Sequence, residues 1–120
     1  MMRATSLPGT CVSKGIEMKI YQTAQFQAKE GQLGECVAAI EEFIAYVRDN
    51  EAGTLLYTSL QQKEDPTQFV HYFIFQDEAA RDIHSNSKAV EHFTDILYPR
   101  LVAPVVFTEY SVLASTQSTP

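Results

Sequence analysis

The chain of 120 residues has no tryptophan, two cysteines, and nine lysines and arginines against fifteen acids. Each shortage excludes something. Cys11 lies in a polar N-terminal segment and Cys36 on a helical face, so they suggest neither a disulfide framework nor metal-ligand spacing. A formal net charge of −6 argues against nucleic acid or an anionic membrane as partner. No run approaches the roughly 20 apolar residues that span a bilayer. A glycine-rich phosphate loop and a His, Cys and Asp cluster at ligand spacing are both missing. Met1 to Lys14 is polar, with Pro8 and Gly9, and lacks the apolar stretch of a secretion signal. Residues 1–16 are expected to form a disordered extension, 17–114 one domain and 115–120 a disordered tail, in a cytoplasmic protein.

What is present is a hydrophobic content of 45%, enough for one core, arranged in clear periods. Phe69, His71, Phe73 and Phe75 alternate with Val70, Tyr72 and Ile74, which predicts a strand apolar on both faces. Asp77 is placed to cap a short helix from Glu78 to Ile83, which His84 closes. Ser85-Asn86 turns the chain and Ser87 caps the next helix. Upstream, alternation from Met18 to Ala28 predicts a first strand, with Gln22 interrupting its apolar face. Leu33, Cys36, Val37, Ile40, Phe43, Ile44 and Val47 recur at three and four, the stripe of a long helix over Gln32 to Asn50. Thr54 to Gln61 reads as a second strand. Val90, Phe93, Leu97 and Leu101 mark a further helix ending near Tyr98-Pro99, and Pro104 to Leu113 a last strand.

The order β-α-β-β-α-β predicts an α+β fold, a ferredoxin-like split βαβ sandwich. Helices cover one face of such a sheet. The other face would still show Val70, Tyr72, Ile74, Val106, Tyr110 and Val112, a patch that implies an interface. Two such sheets packed face to face would make a homodimer, a dimeric α+β barrel.

From Met18 to Leu113 the chain resembles the antibiotic biosynthesis monooxygenase (ABM) domains of the dimeric α+β barrel superfamily. The resemblance rests on the order and spacing of several groups of residues. These are Phe26, Ala28, Lys29 and Gly31; then Glu51, Gly53, Leu55 and Tyr57; then Asp65-Pro66; and finally Phe69, Tyr72, Asp77, Ala80, His84 and Ser87. It implies a cofactor-free oxygenase of small aromatic substrates, quinols or anthrones, with an apolar pocket between sheet and helices. Relatives also include isomerases, haem-degrading proteins and members of unknown activity. Family members often carry Tyr-Glu-x-Trp on the third strand, where this chain has Tyr72-Phe73-Ile74-Phe75. Ala52 likewise replaces the proline usual at the first helix's exit. The absence of tryptophan counts against the haem-degrading branch.

His84 is the expected catalytic base, because imidazole changes charge near neutral pH. At a helix C-terminus it could equally satisfy free carbonyls. Tyr57, His71, Tyr72, Phe73, Phe75 and Asn86 are the expected substrate-binding residues. His71 shares the parity of Phe73 and either points into the same pocket or is a partly exposed strand residue. The phenylalanines serve equally as core, the tyrosines could equally spend their hydroxyls on backbone, and Asn86 is also a turn residue. Glu51 and Glu109 are expected at edges. With Phe73 in place of the acid, His84 should lack a group fixing its tautomer. Turnover of simple quinols should then be weak or absent, and Phe73→Glu should raise it only if His84 lines the pocket, a gain that His84→Ala should abolish. The alternatives are a non-oxygenase isomerase and a non-catalytic small-molecule-binding dimer.

Overall fold

The computed structural model describes residues 18–117. Its elements follow the expected order: β1 (Ile20–Gln27), α1 (Leu33–Asn50), β2 (Thr54–Gln61), β3 (Gln68–Phe75), α2 (Glu78–Ser85), α3 (Lys88–Leu97), a 3₁₀ turn (Tyr98–Arg100) and β4 (Val106–Tyr110). The strands lie in the order β2-β3-β1-β4, each neighbouring pair antiparallel. This is the ferredoxin-like α+β arrangement. Segment 1–16, Cys11 and the end of the C-terminal tail lie outside the described residues.

Local chemistry sets the boundaries. Gly31, at φ 81°, supplies the left-handed turn between β1 and α1 that a side chain would resist. The Asp77 carboxylate accepts from the Ala80 amide at 2.8 Å, and the Ser87 hydroxyl from the Val90 amide at 3.0 Å, so both short helices start at their expected caps. The last strand is shorter than its apolar alternation suggested. Among the described residues it is an edge strand whose only ladder, to β1, spans Tyr21 to Gln25, and Leu113 beyond it is 99% exposed. No helix among the described residues is long and apolar enough to cross a membrane.

Alternation divides the sheet cleanly. Phe26, Phe69, His71, Phe73 and Phe75 face the helices and are buried, and from α1 Cys36, Ile40, Phe43 and Val47 close over them. Cross-strand partners share a face. Leu60 with Val70, Leu56 with Ile74, and Tyr110 with Tyr21 therefore lie together on the uncovered side. Leu60 is 55% and Val106 59% exposed there.

The start of β2 packs closely on α2. A Cβ on Gly53 would stand 2.6 Å from the Ala80 Cβ, and the Gly53 carbonyl accepts from the Gln76 amide at 2.8 Å. Gly53→Ala is therefore expected to destabilise by about 1–3 kcal/mol, because neither backbone can yield freely. Chemical denaturation checks the value. The double variant Gly53→Ala/Ala80→Gly should lose less than the sum of the two single changes.

Candidate active site

Strand alternation puts His71, Phe73 and Phe75 on one side of β3, and the β2 register sets Tyr57 opposite Phe73. The two rings stack at 5.0 Å and 7°. Phe43 of α1 and Phe93 of α3 stack at 4.4 Å and 3° above them. All four rings line a cavity of about 230 Å³ with a largely aromatic interior. His84 reaches it from the last turn of α2, since Ala80 and His84 share a helical face and Ala80 is pinned against Gly53.

The same contact brings the exit of α1 to His84. Glu51, the residue that ends α1, is only 8% exposed, and its Oε1 lies 2.7 Å from His84 Nδ1. Thr54 Oγ1 donates to that oxygen at 2.8 Å. An ionised carboxylate can only accept, so in the neutral imidazole this contact favours the tautomer with the proton on Nδ1 and the lone pair on Nε2. Glu51 Oε2 is buried without a hydrogen-bond partner among the described residues. The edge position expected for Glu51 is thus corrected, and so is the expectation that nothing fixes the His84 tautomer. The carboxylate comes from the end of α1 instead of from strand position 73, so the imidazole is oriented even though Phe73 is apolar.

A second polar pair lies in the same cavity. Tyr57 Oη is 2.9 Å from His71 Nδ1. Burial pushes the Tyr57 hydroxyl well above the usual tyrosine range, with smaller contributions from Tyr98 and Glu51. Burial alone lowers His71 from 6.5 to about 4. Both groups are therefore neutral at pH 7. His71 is 1% exposed, so of its two expected placements the pocket is the one observed, and its Nε2 is buried without a hydrogen-bond partner.

His71 makes stability depend on pH with a definite sign. The unfolded chain binds its proton below about 6.5. The folded chain does so only below about 4. Between these values the unfolded state holds more protons, so stability falls as pH falls. The displacement corresponds to about 3 kcal/mol across the window. Urea denaturation from pH 7.5 to 4 should show this decline, and His71→Phe should flatten it. A decline of equal size in that variant would assign the effect to other groups.

Five of the seven expected site residues come together around the cavity: Tyr57, His71, Phe73, Phe75 and His84 line it, while Tyr72 and Asn86 do not. Tyr72 has the opposite strand parity, paired with Thr23 and Thr58 on the uncovered face. Asn86 is exposed and donates its amide to the Asp82 carbonyl, closing α2. Residues not anticipated at the cavity include Phe43, Phe93, Gln22 and Arg81. Among the described residues, no group of three His, Cys, Asp or Glu could hold a metal ion.

Comparison with known proteins agrees with this architecture. Residues 19–95, more than half the chain, match the family model described as antibiotic biosynthesis monooxygenase. A protein of Bacteroides thetaiotaomicron, described as a candidate antibiotic biosynthesis monooxygenase, superposes with a TM-score of 0.77 at 18% identity, over 85% of this chain and 96% of its own. One from Caulobacter crescentus with the same description gives 0.76 at 15% identity, over 82% and 92%. A Shewanella oneidensis protein gives 0.70 at 28% identity, over 79% and 91%. No protein of curated function matches the sequence.

Proposed function

The chain belongs to the antibiotic biosynthesis monooxygenase family, and on that premise we propose that it is a cofactor-independent monooxygenase of small quinol- or anthrone-like aromatics. The observation that carries this reading is the buried His84–Glu51 pair, 2.7 Å apart, at an aromatic-walled cavity. His84 Nε2, oriented through Nδ1 by Glu51, takes a proton from the substrate. The electron-rich anion then passes one electron to oxygen, the two radicals combine to a peroxide anion, and this takes the proton back from His84 to give a hydroperoxide. Loss of water leaves one oxygen atom on the substrate and releases the other. Such chemistry needs a base, a dry cavity and flat walls that hold the ring. His84, the cavity and the stacked Tyr57–Phe73 wall supply them. In this reading the Tyr57–His71 pair hydrogen-bonds a substrate oxygen.

Oxygen uptake with a reduced anthrone or dihydroquinone, with one labelled atom recovered in the product, tests the assignment. Product formed without oxygen would replace it with an isomerase. Binding with neither outcome would leave a ligand-binding protein.

The working unit in this reading is a homodimer joined through the uncovered sheet face, burying on the order of 2,000 Å² or more. Light scattering at micromolar concentration should give about twice the 13.5 kDa chain mass. Tyr72→Glu, a charge at the middle of that face, should shift the mass toward the monomer. A monomeric wild-type protein would refute the dimer.

A further inference from the structure

Arg81 stands out at the cavity mouth. It lies three and four residues before His84 and Ser85, so α2 presents all three on one face, and all three line the cavity. Of the described residues that line it, none is Asp or Glu, and Arg81 is the one that always carries a full positive charge. Its Nη1 reaches Glu109 Oε1 at 3.3 Å. Glu109 is set directly across from Gln22 of β1, itself a lining residue, so the carboxylate sits at the sheet edge beside the mouth. The Glu109 side chain is 59% exposed and that of Arg81 30%. A pair this exposed binds weakly and is readily exchanged. The contact also occupies one of the five donors of the guanidinium.

The cavity lining is therefore mixed: Gln22, Arg81, Ser85 and Thr94 give it polar groups, and Phe43, Phe93 and the Tyr57–Phe73 stack give it aromatic surface. A chain of net charge −6 repels anions at a distance, so an anionic ligand needs a local cation. We infer that the aromatic substrate carries an anionic substituent, a carboxylate in the first instance, and that Arg81 is the residue that selects it. The ring lies against the aromatic side chains with its hydroxyl toward His84. The carboxylate stays at the mouth on the guanidinium, in the bidentate geometry that arginine favours. Glu109 holds the guanidinium in place when the cavity is empty and competes with the substrate for it.

This inference rests on the cavity being the substrate site, and its test reads recognition apart from turnover. The probes are 2,5-dihydroxybenzoate and the uncharged, nearly isosteric 2,5-dihydroxybenzamide. Both are titrated calorimetrically, without oxygen, into wild-type protein, Arg81→Gln and Glu109→Gln. Circular dichroism verifies that each variant is folded. Wild-type protein should prefer the acid on the order of ten- to a hundredfold, the worth of a hydrogen bond to a charged group. Arg81→Gln should abolish the preference by weakening the acid alone, and Glu109→Gln should strengthen it. Equal affinity for acid and amide, no binding of either, or a preference that persists in Arg81→Gln would each overturn the inference. Selective, Arg81-dependent binding with no oxygen uptake after aeration would uphold the anion selectivity and remove the oxygenase reading. Oxygen uptake that is equal for acid and amide and indifferent to Arg81 would do the reverse.

Discussion

His84→Ala is expected to lower oxygen uptake with a reduced anthrone or dihydroquinone by ~10²–10⁴-fold, the contribution of a positioned general base. The loss should fall on kcat and leave KM nearly unchanged, because the aromatic walls that bind the ring remain. Glu51→Gln should lose activity in the same direction while conserving shape. Its amide can donate to Nδ1, which favours the tautomer with the proton on Nε2 and removes the lone pair the reaction needs. The two changes should not add, since both disable one unit. Removing the imidazole also leaves the Glu51 carboxylate buried with Thr54 as its remaining partner. A cost of about 3–5 kcal/mol is the expected scale for such a broken pair. Rates must therefore be normalised to the folded fraction measured by circular dichroism. A fully folded His84→Ala that turns over at the wild-type rate would overturn the assignment and leave Tyr57 and His71 as the groups to test.

Much of the fold was legible because it rests on short-range periodicity. The stripe through Cys36, Ile40, Phe43 and Val47 names the buried face of α1, and Asp77 and Ser87 begin their helices as capping chemistry requires. His84 was legible as a candidate from its residue type and the motif around it. Glu51 was not, although it stood among the motif residues. A glutamate at the end of an amphipathic helix has the local pattern of a solvated side chain. Its burial depends on Gly53 meeting Ala80, a contact between elements far apart in sequence. Arg81 was hidden for the same reason, since its neighbour Glu109 lies 28 residues away on the edge strand. Tyr72 is a different case. Parity alone separates it from Phe73, and the rule that successive strand side chains point to opposite faces already excludes it from a cavity containing Phe73.

Phe73→Glu was expected from the family pattern to restore activity, and the position of Glu51 reverses that expectation. Phe73 is 5% exposed, with its ring stacked on Tyr57, edge-on to Phe75 at 5.5 Å and 6.4 Å from the His84 ring. The substitution removes the ring from this packing and buries a second carboxylate near an imidazole whose Nδ1 is already taken by Glu51. If the new carboxylate stays apart from His84, it is an unpaired buried charge. If it reaches Nε2, it occupies the nitrogen that must accept the substrate proton. Both arrangements lower turnover, by a factor comparable to that of His84→Ala. The loss of packing and the buried charge together should cost about 3–5 kcal/mol, a large share of the ~5–15 kcal/mol that holds a typical domain together. Burial raises a carboxyl group above its ordinary value near 4.3. The folded variant then binds more protons than the unfolded chain above that pH, so its deficit relative to wild type should grow as pH rises from about 4.5 toward 8. Parallel urea denaturation of the two proteins across that range, with oxygen-uptake assays at each pH, measures both effects. A Phe73→Glu protein that is as stable as wild type and turns over faster would show that position 73, and not Glu51, is where His84 finds its acid.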